Sequence, residues 1–113
     1  MKIILDKITF REIQELAANF FGDMVKGVVD IDREVIAVDA ELHADLEACL
    51  LEDGSVQHSL WGVNFYPGLS GEDFVEFDSL INIRPAHGNR SRIVEDERIQ
   101  KRILEIVNKR IVQ

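Results

Sequence analysis

The 113-residue sequence contains one cysteine and two prolines, and it has no long apolar run. The single cysteine, Cys49, excludes an intramolecular disulfide and a cysteine-rich zinc site. No apolar stretch approaches the ~20 residues that span a bilayer, and the chain reaches Asp6 too early for a signal peptide. A lone thiol is typical of a reducing compartment. These absences predict a cytoplasmic protein that does not enter a membrane.

What is present suffices for one folded domain. Apolar residues make up 46% of the chain and charged residues 30%. A chain with this apolar fraction and length can bury a core of its own, which a disordered chain cannot. There is no internal repeat, no low-complexity tract and no linker-like segment. We therefore expect a single domain over residues 1–113.

The charge is unevenly distributed along the chain. There are 13 basic and 21 acidic residues, giving a net charge of −8. Residues 1–83 carry 5 basic and 17 acidic groups, for a net charge of −12, whereas residues 84–113 carry 8 and 4, for +4. The overall acidity opposes binding to nucleic acid or to an anionic membrane. It leaves room for a local cationic site in the last third.

Periodicity predicts three helices and four strands. The helices are expected at residues 10–21, at residues 43–53 and from about Asp96 onward. Thr9 and Glu12 have the spacing of a capping box for the first helix. The strands are expected at residues 24–32, 35–38, 60–66 and 74–84, the first two as an antiparallel hairpin.

The order α-β-β-α-β-β-α, with short connections between strands, favours a two-layer α+β sandwich. We expect a four-stranded, mainly antiparallel sheet with helices on one face. Alternation along the strands then assigns a polar set to the open face. This set comprises Lys26, Asp30, Asp32, Asp39, Glu41, Asn64, Tyr66, Glu76, Asp78, Asn82 and Arg84.

Alternating polar residues at the end of the second strand suggest a metal or catalytic site. Asp39, Glu41 and His43, together with Asp78, offer oxygen ligands and one imidazole, which suit a divalent metal. In a catalytic reading, His43 or His87 is the general base or acid, and Glu41 or Asp39 orients it. The alternative is that these side chains simply belong to a solvated sheet face.

A second candidate site is the polar loop that follows the last predicted strand. Arginine forks match carboxylate or phosphate groups, and a loop of small residues lets backbone N–H groups approach an anion. The predicted ligand-binding residues are Asn82, Arg84, Asn89, Arg90, Ser91 and Arg92. In the alternative interpretation, the arginines pair with the acidic part of the chain.

The stretches AVDAELHADLEACLLEDG, LWGVNFYP, EFDSLINIRP and GNRSR together resemble a family of small prokaryotic proteins classed as a domain of unknown function. The similarity runs across nearly the whole chain. The resemblance implies a stand-alone domain and supplies no catalytic residues.

Two functions from different classes fit these observations. The first is a binding or interaction domain for a small anion or a protein partner, with self-association into a homodimer as one form. The second is a small phosphoester hydrolase or nuclease-like enzyme that uses the His, carboxylate and Arg residues, with a divalent metal as the candidate cofactor. An acidic mimic of nucleic acid ranks behind both, because the last third of the chain is basic.

Overall fold

A computed structural model describes all 113 residues of the chain. The helices are α1 (Phe10–Asn19), α2 (His43–Glu52) and α3 (Glu97–Arg110). The strands are β1 (Lys2–Ile4), β2 (Ile8–Thr9), β3 (Val25–Asp30), β4 (Val35–Val38), β5 (Leu60–Phe65), β6 (Val75–Glu76) and β7 (Ile111–Val112). Short 3₁₀ helices occupy Gln57–Ser59, Gly71–Phe74, Leu80–Asn82 and Pro85–His87. None of the helices combines the length and apolar content that a membrane crossing requires.

Side-chain caps define the starts of two helices. The Thr9 hydroxyl accepts a hydrogen bond from the Glu12 N–H at 3.1 Å, which confirms the predicted start of α1. Asp96 accepts from the Arg98 N–H at 2.8 Å and begins α3. Helix α2 differs, because the residue at its N-cap is Leu42, which has no side-chain oxygen to offer. The first N–H groups of α2 are therefore not capped by its own sequence.

The main sheet has five antiparallel strands in the order β1-β4-β3-β5-β6. This confirms the α+β class, the antiparallel sheet and the predicted hairpin of β3 and β4. The fifth strand is β1, which pairs with β4. With three residues it is too short to show alternation in the sequence. A second, small sheet pairs β2 with β7 in parallel.

The helices lie on both faces of the main sheet, which corrects the expectation that they cover one face. Helices α1 and α3 pack on the first face, around Val29, Ile36 and Phe65. Helix α2 packs on the opposite face, where Leu46 and Leu50 meet a second cluster. The apolar members contributed to that cluster by the strands are Val28, Val35, Ala37 and Leu60. Strand β4 is apolar at every position, so it is buried on both faces and carries no alternation that could have revealed this.

The predicted strand over residues 74–84 is largely wrong. Only Val75–Glu76 pairs with β5, and a 3₁₀ helix follows at Leu80–Asn82. The Ser79 hydroxyl accepts from the Ile81 N–H at 3.3 Å, a local bond that competes with a strand. Gly62 allows this turn to approach the sheet, since a Cβ there would stand 2.5 Å from the Ser79 Cβ. As a result, Ile81 packs with the α2 cluster instead of the first core.

Candidate anion-binding cleft

A row of polar side chains crosses the α2 face of the sheet beyond the second apolar cluster. Lys26, Asn64 and Glu76 are direct neighbours in register on β3, β5 and β6. The Asn64 amide nitrogen donates to Glu76 Oε1 at 2.8 Å, and the Tyr66 hydroxyl donates to the same oxygen at 3.1 Å. Partial burial is the main cause that raises the pKa of Tyr66, and the hydrogen bond to the Glu76 carboxylate is the second. The phenol therefore stays a donor at neutral pH. These residues belong to the predicted polar set.

A cleft of about 160 Å³ lies beside this row, between the start of α2 and the 3₁₀ turn after β6. Strand β3 provides one side chain, Lys26, and a later loop provides another, Arg92. The remaining lining residues come from the two walls, and they are Leu42, His43, Ala44, Ser79, Leu80 and Ile81. We call this feature the α2 cleft. It contains two cationic side chains and no carboxylate among its lining residues.

The backbone at the start of α2 adds hydrogen-bond donors to the cleft. The N–H groups of Asp45 and Leu46 bond to the Leu42 carbonyl. Those of His43 and Ala44 have no acceptor within the protein. Uncapped N–H groups at a helix start carry partial positive charge and favour an anion. The cleft thus combines a helix start with two cations.

The two cations differ in how far they are neutralised. Arg92 donates from Nε to Asp78 Oδ1 at 2.7 Å, so its charge is shared with a carboxylate. Lys26 forms no ion pair, and its ammonium lies 5.4 Å from the ring centroid of Phe21. It is partly buried by its neighbours. Lys26 is therefore the cation of the cleft whose charge no carboxylate neutralises.

His43 lies at the base of the cleft as the first residue of α2, and only 8% of its surface is exposed. Its Nε2 donates to the Val63 carbonyl at 2.8 Å. Burial is the main cause that lowers the pKa of His43, and the charge of Lys26 lowers it further, against opposing effects of Val63 and Asp78. The imidazole is thus neutral at pH 7 and has one nitrogen engaged with the backbone, which does not suit a general base.

The predicted metal and catalytic residues do not assemble into one site. Asp39 lies 3.9 Å from the Met1 ammonium, and Asp78 pairs with Arg92. Glu41 and His87 are exposed and form no side-chain hydrogen bond or ion pair. No three His, Cys, Asp or Glu side chains form a group that could hold a metal ion. The metal prediction is wrong because the chain turns at Asp39 (φ +77°), which ends the alternation on which it relied.

The predicted loop over residues 84–92, called the arginine loop below, does bind an anion through its backbone, but that anion is a carboxylate of the protein itself. The N–H groups of Arg90 and Ser91 donate to Glu95 Oε2 at 3.0 and 2.8 Å. The hydrogen bond of Ser91, together with these backbone donors, lowers the pKa of Glu95. These two N–H groups are therefore occupied within the protein, and binding of an external anion by this loop stays a prediction. The occupant, a carboxylate four residues further along the chain, was not foreseen.

The other predicted ligand-binding residues of this loop are structural. Arg84 is nine-tenths buried, with its guanidinium 4.7 Å from the Trp61 ring, and it donates to the Leu60 carbonyl. Asn89 is buried and accepts from the Glu95 N–H at 2.9 Å. The Asn89 amide nitrogen donates to the Asn82 carbonyl at 2.7 Å. These side chains are already committed to the backbone, so only Arg92 reaches the α2 cleft.

Sequence reasoning named three of the residues around the cleft, Lys26, His43 and Arg92, but placed them in separate sites. The sequence signal that was not used is Leu42. An apolar residue directly before a regular helix marks a helix start without a side-chain cap. Larger concavities exist elsewhere. One of about 510 Å³ is bordered by Glu72, Asp73 and Glu76, and its negative charge opposes an anion.

Comparison with known proteins agrees with the resemblance seen in the sequence. A family model described as a protein of unknown function (DUF5674) matches residues 2–110. No curated protein and no solved structure is similar enough to this chain to count as a match. Since this match covers nearly the whole chain, including the cleft, the chain belongs to the family of proteins of unknown function DUF5674.

Proposed function

We propose that this protein is a small binding domain that holds an anionic group in the α2 cleft. One observation carries the proposal: unpaired Lys26, Arg92 and the free N–H groups of His43 and Ala44 surround the same cleft. Each component attracts negative charge, and they come from three separate parts of the chain: β3, the start of α2 and the loop before α3. The first sequence hypothesis, a binding domain, fits this arrangement with the site moved to the start of α2.

We expect the affinity of the α2 cleft for a bare anion to be weak. Hydrogen bonds to a charged group contribute ~1.5–3 kcal/mol each, and an uncapped helix start adds ~0.3–1 kcal/mol. Ordering of the Lys26 and Arg92 side chains opposes this gain, and Arg92 must share its charge with Asp78. For a bare anion we therefore expect a dissociation constant on the order of millimolar.

Binding fits the geometry better than hydrolysis does. The imidazole of His43 is buried and bonded to Val63, and the Ser79 hydroxyl accepts from the Ile81 N–H. A nucleophile needs an adjacent base within hydrogen-bond reach, and the Ser79 hydroxyl forms no hydrogen bond to His43 or to a carboxylate. No observation in the cleft favours the phosphoester-hydrolase hypothesis. The single thiol of Cys49 supports a reducing, cytoplasmic setting for the binding domain.

The proposal is tested by an amide ¹H–¹⁵N NMR titration with sodium acetate at constant ionic strength. The signals of His43 and Ala44 should shift most, because their N–H groups would donate to the anion. Lys26→Met and Arg92→Gln should each weaken binding by about threefold or more, which corresponds to ~0.7 kcal/mol. Lys101→Met and Arg11→Gln, which remove exposed cations elsewhere, are the matched controls and should leave binding unchanged.

Two outcomes count against the proposal. In the first, the His43 and Ala44 amides stay in place while acetate reaches a concentration of about 50 mM. In the second, the control variants weaken binding as much as the cleft variants do, which means that acetate responds to net charge alone. Thermal unfolding of each variant establishes that it is folded under the conditions of the titration.

A further inference from the structure

The walls of the α2 cleft are apolar, although its polar groups attract an anion. Four of its eight lining residues, Leu42, Ala44, Leu80 and Ile81, have only apolar side chains. Leu42 and Leu80 stand on opposite walls and are 56% and 67% exposed. Large apolar side chains flanking a charged pocket are typical of sites that bind an amphipathic ligand. Covering these two leucines with an apolar ligand group would remove apolar surface from water, which is favourable.

The charge in the cleft matches a monoanion. Lys26 supplies one positive charge, whereas the charge of Arg92 is offset by Asp78, and His43 is neutral. The helix start adds about half a unit. A phosphate dianion would leave negative charge uncompensated in a partly buried site, whereas a carboxylate would not. The balance therefore favours one carboxylate.

The size of the cleft limits the ligand. Its volume of about 160 Å³ corresponds to roughly five water molecules at ~30 Å³ each. This space accommodates a carboxylate with a short branched chain, and a longer substituent must leave between Leu42 and Leu80.

We infer that the α2 cleft takes a carboxylate carried on a short apolar chain, with the carboxylate at Lys26 and the chain between Leu42 and Leu80. This inference rests on the proposed anion site and names its ligand class. Two sources share this chemistry: a free short-chain acid, and the C-terminal carboxylate of a polypeptide whose last side chain is apolar. In both, the carboxylate accepts hydrogen bonds from the backbone N–H groups of His43 and Ala44.

The test compares 3-methylbutanoate, acetate and inorganic phosphate by the same NMR titration at pH 7.5. We expect 3-methylbutanoate to bind about tenfold more tightly than acetate, because each buried methylene adds several-fold to affinity. Leu80→Ser should reduce this ratio to about threefold or less while acetate binding is kept. Leu51→Ser, which alters a half-exposed leucine of α2 away from the cleft, should leave the ratio unchanged.

A further arm uses a neutral pentapeptide that ends in valine, with its C-terminus either free or amidated. The free peptide binding more tightly than 3-methylbutanoate supports a polypeptide source, and weaker binding supports a free acid. If both peptides bind measurably and with equal affinity, the role of the carboxylate is overturned. Equal affinities of acetate and 3-methylbutanoate, or tighter binding of phosphate, overturn the ligand class while the anion site itself stands. If no anion perturbs the cleft, the proposed function fails as well.

Discussion

Asn82 completes the edge of β5 by pairing its side-chain amide with both backbone polar groups of Gly62. Its Oδ1 accepts from the Gly62 N–H at 2.8 Å, and its Nδ2 donates to the Gly62 carbonyl at 3.0 Å. The same nitrogen donates to the Arg92 carbonyl at 3.0 Å. A side chain thus does what a neighbouring strand would do, and it ties the segment that carries Arg92 to the sheet beside the α2 cleft.

Asn82→Ala should destabilise the protein by about 2 kcal/mol, because the two buried backbone groups of Gly62 lose their partner at ~1 kcal/mol or more each, whereas the Arg92 carbonyl keeps the Ser79 N–H. Urea unfolding measures this change. Asn82→Asp should be no better, since one carboxylate oxygen then faces two carbonyls. Asn108→Ala, at an exposed position of α3, is the control and should cost nothing. A loss below ~1 kcal/mol for Asn82→Ala would show that water replaces the amide.

Glu95→Ala should turn the arginine loop into an anion site. The change removes the carboxylate that accepts from the Arg90 and Ser91 N–H groups, so these two donors become free. We expect faster amide hydrogen exchange at both residues and new chemical-shift changes there on adding phosphate. The wild-type protein should show neither effect. If phosphate moves the same amides in the wild type, Glu95 is not the bound occupant.

Leu42→Asp should stabilise the fold and abolish anion binding in the α2 cleft. The backbone of Leu42 already has the extended conformation of an N-cap (φ −123°, ψ 134°), so an aspartate can cap α2 without rearrangement. A cap contributes ~1 kcal/mol and places a carboxylate on the N–H groups that the ligand would use. Thermal unfolding and acetate titration measure the two effects.

Leu42→Ala is the matched control for this pair of effects. It removes the same side chain without adding an oxygen, so the acetate response should persist and the stability should not rise. An aspartate variant that gains stability but still binds acetate as the wild type does would separate the cap from the anion site.

His43 should make the protein less stable as the pH falls below about 6.5. Burial lowers the pKa of His43 from its ordinary value of 6.5, so between that value and the folded-state pKa the unfolded chain binds more protons than the folded one. The stability contributed by neutral His43 is then complete above pH 6.5 and is lost on acidification through the folded-state pKa.

His43→Gln keeps an amide nitrogen for the Val63 carbonyl and removes the titration. Its free energy of unfolding should change less between pH 7 and pH 5.5 than that of the wild type, as measured by urea unfolding at each pH. His58→Gln, which changes an exposed histidine, should retain the wild-type slope. Equal slopes for His43→Gln and the wild type would mean that His43 is not the titrating group.

Local interactions explain which elements were predictable. Thr9 and Glu12 lie three residues apart, and their bond forms wherever a helix starts there. The hairpin of β3 and β4 joins two short Val- and Ile-rich segments across one turn. The strand predicted at residues 74–84 failed because an alternating pattern is compatible with more than one backbone path. There, Ser79 and the space left by Gly62 select a 3₁₀ turn.

The sequence by itself determined the α+β class, the antiparallel hairpin, the helix starts at Thr9 and Asp96, and, through its single cysteine, the exclusion of an intramolecular disulfide. Each follows from residue types or from neighbours within a turn of one another. Only the tertiary structure decided that α2 covers the second face of the sheet and that Lys26, Leu80 and Arg92 meet at its first turn. Such a meeting depends on long-range packing, because no local bond links segments so far apart in the chain.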